Sequence, residues 1–424
     1  MNLSFTRLSA LVGDFRPPSD KSMTHRAYML AAIASGPSLV RNPLRGEDCE
    51  STRNALIRMG LRHEMVGSGE FRMVPCKEWN QPGEPLDCGN SGTTIRLLSG
   101  LLASRPLTVT MIGDASLSKR PMRRIAEPLR LMGATFTGDT PPVTIGGGQL
   151  RAITYNTPVA SAQIKSAVLL AALRADGTTV VTEPSLSRDH TERMLSATGV
   201  TVDRLGLVVS LAGNQQPSGF EFDVPADISS AAFILIAAAL MNGSLVTARE
   251  IAINPTRAGL LEVFEQVGIP YELQNPRETM NEPVADVTVG TAPILRPFTI
   301  DGDLVPRLID EIPVLAVLAT QCEGTSVIRG ARELRVKESD RIAVMAEGLT
   351  RMGAKVEVFE DGMAISGPTP LRGIKVDSHL DHRIAMSFAI AGSIASDVTE
   401  VQGAESIQTS FPGFESELNR LGIS

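Results

Sequence analysis

Cysteine is sparse in this 424-residue chain: Cys49, Cys76, Cys88 and Cys322 are scattered, and no two form a CxxC pair. That spacing argues against a disulfide framework or a zinc ribbon and for reduced thiols, as in the cytoplasm. Long apolar runs are also missing. The longest, Ala231 to Met241, is about half of what a bilayer-spanning helix needs, so no membrane association is expected. The first residues, MNLSFTRLSALVGDFRPP, show no apolar run followed by a small-residue cleavage site, so no signal peptide is expected. There is no excess of positive charge, with 40 Lys and Arg against 47 Asp and Glu and a net charge of −7. No global basic field is present to recruit nucleic acid, so an anionic ligand must be captured by local cations. Finally, the chain has no GxGxxG, no Walker GxxxxGK[ST], no HExxH and no GxSxG. Nucleotide binding, zinc-protease chemistry and a serine nucleophile therefore have no motif behind them, and neither a metal nor a cofactor is expected.

What is present is ordinary for a globular protein: 43% hydrophobic and 21% charged residues, with 37 Gly and 27 Pro spread along the chain. Two or three domains are expected from the length. One pattern recurs. A polar start leads into an Ala/Leu/Ile-rich run at Lys21, Ser91, Ser161, Ser229, Asp310 and Asp381, about 70 residues apart with a longer interval before the fifth. A β-rich segment follows in most copies (SLVRN, LTVTMIG, TTVVTEP, SLVTARE, TSVIRG), then a second helix commonly ending in Gly, and short alternating strands close most units. Each unit reads βαβαββ. The first helices are apolar almost all round, which predicts that they are buried at a domain centre with the sheets outside them. Six units exceed one core, and three per domain is the natural division. The best boundary is Val224–Asp227, and the strand before Phe15-Arg16-Pro17-Pro18 fits either half.

Helix N-termini expose backbone N–H groups and the positive end of the dipole, so they suit anions. The starts here carry Lys21, Ser22 and Arg26 in the first copy, Asn90 and Gly92-Thr93 in the second, and Ser161 and Gln163 in the third. The fifth and sixth start with Asp310-Glu311 and Asp381-His382-Arg383. Capping accounts for a serine such as Ser229, whereas Lys21 and Arg26 oppose the dipole and make sense with an anion present. Two more clusters stand out. SLSKRPMRR, Ser116 to Arg124, gathers Lys119, Arg120, Arg123 and Arg124, with Pro121 expected at a first helical position. LRVKESDR, Leu334 to Arg341, is expected to place Lys337, Glu338 and Arg341 within about one helical turn. Interleaved acids and bases suit a site that binds anions and moves protons.

SDKSMTHR, CGNSGTTIR, GDASLSKRPM, SAQIKSA, RDHTE, DEIP, LRVKESDR and DHRIAMSF, in this order over essentially the whole chain, resemble the 5-enolpyruvylshikimate-3-phosphate (EPSP) synthase family. RDHTE, SAQIK and NPTR, Asn254 to Arg257, are similar to its class II subgroup. The resemblance implies an α/β fold, a two-domain inside-out α/β barrel of six βαβαββ units. Residues 19–225 would form the N-terminal domain, 1–18 and 226–424 the C-terminal one, and the active site would lie in the interdomain cleft. It implies transfer of the enolpyruvyl group of phosphoenolpyruvate to the 5-hydroxyl of shikimate 3-phosphate, in a cytoplasmic monomer without a cofactor. Shikimate 3-phosphate would meet Lys21, Ser22, Arg26, Ser161, Gln163, Arg188, Asp310 and Lys337. Phosphoenolpyruvate, with glyphosate as a possible inhibitor in its place, would meet Lys21, Gly92, Arg120, Gln163, Arg341 and Arg383. Lys21, Asp310 and Glu338 would be catalytic, the two carboxylates as an acid/base pair whose division of labour stays open. The chain departs from common family residues at Ser19 (often Gly), Glu333 (often Asn) and Thr409 (often Lys). Against the sister transferase that uses UDP-N-acetylglucosamine stand Ser22 after Lys21, in place of Asn, and the lack of Cys in Ser116–Arg124.

Overall fold

The computed structural model describes residues 1–423 and divides them into two compact units. One contains Ser19–Val224 with Glu278–Glu282, the other Met1–Pro18, Pro225–Arg277 and residues 283–423. All twelve helices expected from the repeat are present, six to each unit.

In the Ser19–Val224 unit, three helices form the interior: Lys21–Ile33, Gly92–Ala103 and Ala162–Ala172. Met23 through Ile33 are all buried, so the side chains leave no face for water: beyond the polar head at Thr24, His25 and Arg26, the Ala27–Ile33 part is apolar almost all round and has that one place to go. The Gly92–Ala103 and Ala162–Ala172 helices approach backbone to backbone: a Cβ added to Gly100 would stand 2.0 Å from the carbonyl oxygen of Ala167. Three four-stranded sheets surround them. Leu86–Asp87 pairs parallel with Thr108–Ile112 across the second helix, and Thr154–Asn156 with Thr178–Thr182 across the third. Glu221–Asp223 pairs parallel with Ser38–Arg41, so the last strand of the unit completes the sheet of its first copy. Antiparallel pairs complete each sheet. Three outer helices, Glu47–Arg58, Arg123–Met132 and His190–Ala197, connect these layers. Gly133, at φ 110°, stops the second of them in the left-handed region that glycine favours.

The other unit repeats the plan around Ile228–Leu240, Ile312–Ala319 and His382–Ile394. Their outer partners are Gly259–Val267, Arg341–Arg351 and Phe414–Leu421. The stretch before Pro17 is two strands, not one, and both belong here: Asn2–Phe5 runs antiparallel to Thr399–Gln402, and Ala10–Phe15 parallel to Leu245–Ala252. The buried helices contribute Phe233, Ile234, Leu315, Val317, Phe388 and Ile390 to one core. Each such side chain stabilises by about 1.5–3 kcal/mol relative to exposure.

Three expectations of local structure are corrected. Lys337 and Glu338 do not share a helical turn with Arg341: a 3₁₀ segment ends at Val336, and the helix begins only at Arg341, capped by the Asp340 side chain. Pro121 lies two residues ahead of the helix that starts at Arg123. The cap near Ser229 is Asp227, whose carboxylate accepts from the Ser229 N–H at 2.8 Å.

Candidate active site

In the Ser19–Val224 unit the three central helix starts are bound to one another by buried and half-buried polar contacts. The first joins the second through His25 Nδ1, 2.7 Å from Thr52 Oγ1, which is in turn 2.7 Å from Thr94 Oγ1. The second joins the third through Arg96, whose Nη1 donates to Gln163 Oε1 at 2.5 Å, while Gln163 Nε2 donates to Thr93 Oγ1 at 3.2 Å. The third joins the first through Arg26, which donates to Ser166 Oγ at 2.8 Å and to Thr191 Oγ1 at 2.7 Å. The polar heads are therefore convergent within the unit.

On that base, Lys21 Nζ is paired with Asp48, in the first turn of the neighbouring outer helix. The anion that Lys21 calls for is, in this structure, a side chain of the protein. Arg120 donates to Asn90 Oδ1 at 2.6 Å. Its Nη1 and that of Arg96 each stand 3.4 Å from where a Cβ on Gly92 would be. Ser161 precedes its helix without accepting a capping hydrogen bond, and Ser22 accepts from Arg26 through its carbonyl. Arg188 is half-buried and close enough to Arg26 to act on its charge. Burial brings the Arg26 pKa down to about 10, with Glu192 and Asp20 opposing, so it stays cationic at neutral pH. Burial likewise brings His25 down to about 3, despite the nearby Asp48, which makes it a neutral hydrogen-bonding link and not a proton carrier.

The second unit brings together the residues of its own three helix starts. Asp310 Oδ1 lies 3.4 Å from Arg341 Nη1 and 3.8 Å from Arg383 Nε; its Oδ2 lies 3.6 Å from Arg257 Nη1. One carboxylate thus sits among three guanidinium groups. Arg341 in addition contacts Asp381 at 2.8 Å and Glu338 at 2.7 Å, and is itself buried. Burial disfavours its charge, but Asp381, Glu338 and Asp310 together hold its pKa above the ordinary arginine value. Burial alone would raise the Asp381 carboxyl, yet the Arg341 guanidinium holds it below its usual range. Asp227 is held low by Arg257 and Arg383 against the same burial penalty. Lys337 and Glu338 are half-buried in the segment before the helix, and Glu333 is exposed.

Reading the sequence missed Arg96, Asp48, Asp227 and Arg257 as members of these clusters. Arg257 was visible only as part of NPTR, and Arg96 only as the end of CGNSGTTIR. The structure brings Arg257 to Asp227 at 2.9 Å, a meeting of residues 30 positions apart. Among the described residues no three His, Cys, Asp or Glu side chains are grouped to hold a metal ion. No helix among them is long and apolar enough to cross a membrane.

Buried helices inside, sheets outside and clustered cations at the helix starts define a class, the enolpyruvyl transferase fold. The enolpyruvyl transferase NikO from Streptomyces tendae superposes with a TM-score of 0.79 at 18% identity, covering 99% of this chain and 97% of its own. The chain belongs to the EPSP synthase (3-phosphoshikimate 1-carboxyvinyltransferase) family, whose model matches residues 5–418. A 3-phosphoshikimate 1-carboxyvinyltransferase of Brevibacillus brevis is 49% identical over 416 residues, covering 96% of this chain and 97% of the relative. One of Bacillus licheniformis is 48% identical over 421 residues, covering 98% of each. An EPSP synthase structure from Acinetobacter baumannii has a TM-score of 0.90 at 45% identity, covering 100% of this chain and 98% of that one.

Proposed function

We propose that the two clusters serve one pair of substrates, shikimate 3-phosphate and phosphoenolpyruvate. The chain is an enolpyruvyl transferase of the shikimate pathway, forming 5-enolpyruvylshikimate 3-phosphate and inorganic phosphate. The observation that carries the site assignment is Asp310 held among Arg257, Arg341 and Arg383. A carboxylate that must act as a base beside two anionic substrates stays ionised only where cations offset their repulsion.

Each substrate carries a phosphate and a carboxylate. Bringing two such charges to ~4 Å costs about 4 kcal/mol per pair at an effective dielectric constant of about 20. Lys21, Arg26, Arg120, Arg188, Lys337, Arg341 and Arg383 offset that repulsion in the proposed arrangement. Shikimate 3-phosphate is assigned to Lys21, Ser22, Arg26, Ser161, Gln163, Arg188, Asp310 and Lys337. Phosphoenolpyruvate is assigned to Lys21, Gly92, Arg120, Gln163, Arg341 and Arg383. Arginine grips carboxylate and phosphate by two parallel donors, and lysine acts as a compact charge that can serve both reactants. Because Arg341 is already engaged by Glu338, an incoming anion takes that place and releases the Glu338 carboxylate for proton transfer.

The reaction protonates the methylene carbon of phosphoenolpyruvate and adds the 5-hydroxyl oxygen of shikimate 3-phosphate to the cationic carbon beside it. The hydroxyl proton goes to one carboxylate. Phosphate then leaves as a proton returns from the new methyl group. We assign the hydroxyl proton to Asp310 and the methylene proton to Glu338. Glyphosate, a small phosphonate with a carboxylate, is proposed to occupy the phosphoenolpyruvate position. We further read the chain as a cytoplasmic monomer, its four cysteines being unpaired thiols. A phosphate-release assay with both substrates tests the activity: release that needs both is expected, and release from phosphoenolpyruvate alone would refute transfer.

A further inference from the structure

At the opposite end of the Ser19–Val224 unit, the three central helices finish around two adjoining cavities. These have volumes of about 440 and 270 Å³ and share Ile33, Arg105, Arg174 and Gln216 as lining residues. Ile33 ends the first helix, while Arg105 and Arg174 each follow the end of another by two residues. Thirteen residues at ~1.5 Å each set this end about 20 Å from Lys21.

The lining is unbalanced in charge. Arg105, Arg174 and Lys77 line the cavities, and no Asp or Glu does. None of the three has a carboxylate partner among the described residues, unlike Arg193, Arg249 and Arg341. Cations after helix C-termini ordinarily answer the dipole or bind the last carbonyls. Arg105 does not fit that role. Its guanidinium lies over the ring of Trp79, 4.8 Å from the centroid, and its Nε is buried with no hydrogen-bond partner. Burial and the neighbouring Arg174 both disfavour its charge and bring its pKa to about 10, so at neutral pH two like charges face one cavity. A pocket of several hundred Å³ with convergent polar groups and a stacked aromatic wall has the make-up of a small-ligand site.

We propose that this cavity binds a compact multivalent anion bearing phosphate or carboxylate groups, held between Arg105 and Arg174, with Lys77 beside it and Trp79 as a wall. The anion supplies the negative charge that the lining lacks and relieves the repulsion between the two arginines. The site is separate from the one proposed for enolpyruvyl transfer and does not depend on that reading.

Trp79 is the one tryptophan of the chain, so its emission reports on this cavity. The full chain is titrated with inorganic pyrophosphate and, in parallel, with citrate, at ionic strength held constant with chloride. The expected result is a saturable change in emission with at least one probe; pyrophosphate alone marks a phosphate site and citrate alone a carboxylate site. Arg174→Gln should raise the apparent Kd about tenfold, as loss of a charge-assisted contact does, while leaving kcat and KM of the transfer reaction unchanged. Arg174 is exposed, so this variant keeps the fold even where Arg105→Gln does not. No saturable change with either probe, or the same titration curve in Arg174→Gln, overturns the proposal.

Discussion

Arg341 Nε lies 2.8 Å from Asp381 Oδ2, and both side chains are almost entirely withdrawn from water. Neither group tolerates that environment alone, and each holds the other in its charged form. Asp381 also accepts from the Arg383 N–H at 3.0 Å, so one carboxylate orients the starts of two helices.

Asp381→Asn should therefore destabilise the protein by on the order of 3 kcal/mol near neutral pH. Because the Asp381 pKa is lower folded than unfolded, its contribution is complete above the unfolded value, about 4. It is lost as pH falls through the folded value. The melting-temperature gap between parent and variant should thus be wide at pH 6 and narrow toward pH 3; a constant gap would show that the pair contributes no pH-dependent stability.

His25 gives a second, independent source of acid sensitivity. Its folded pKa of about 3 lies below the unfolded value of about 6.5, so the unfolded chain binds the proton first. Stability drains as pH falls from about 6.5 toward 3 and is unaffected above that window. His25→Asn should flatten the decline in urea midpoint between pH 7 and pH 5. An NMR titration in which the His25 ring protonates near 6.5 would contradict the assignment.

Asp310→Asn keeps the shape of the side chain and removes its charge. Turnover should fall by about 10²–10⁴, with a far smaller change in affinity for shikimate 3-phosphate. Steady-state kinetics and a binding titration on the same preparation separate the two. Near-native turnover would take Asp310 out of the proton transfers.

Gly92→Ala places a methyl group 3.4 Å from the guanidinium nitrogens of both Arg120 and Arg96. Either can yield slightly, so folding should change little, but the space beside the proposed phosphoenolpyruvate position shrinks. Glyphosate is the longer ligand, so its inhibition constant should rise by a larger factor than KM for phosphoenolpyruvate. Equal factors would dispose of the steric argument.

The repeat was legible because its central helices are apolar on every side, as Ile228–Leu240 shows, and because stops such as Gly133 punctuate the outer ones. The fine structure of Leu334–Arg341 was not, because Asp340 caps the helix and displaces its start to Arg341, a choice among several polar residues. Lys21 and Arg26 announced themselves by opposing the dipole, whereas Asp48 and Arg257 did not. Their signal lies in whom they meet, Lys21 across 27 positions and Asp227 across 30, and local spacing carries no record of such pairs. Charge complementarity between clusters was readable as a need; the particular partner was set by packing.

The parallel pairing of Ala10–Phe15 with Leu245–Ala252 also orders events on the ribosome. All of Ser19–Val224 is synthesised between the two strands. At roughly 5–20 residues per second that interval lasts on the order of 10–40 s, during which Ala10–Phe15 cannot pair with a strand not yet made. The intervening unit has everything it needs to fold during the wait, apart from the Glu278–Glu282 tip, which arrives later still. Ala10–Phe15 meanwhile has no strand to lie against, with Leu11 and Phe15, buried in the finished protein, open to solvent or to a chaperone. The strand that leaves the ribosome before the intervening unit is thus set in place after it.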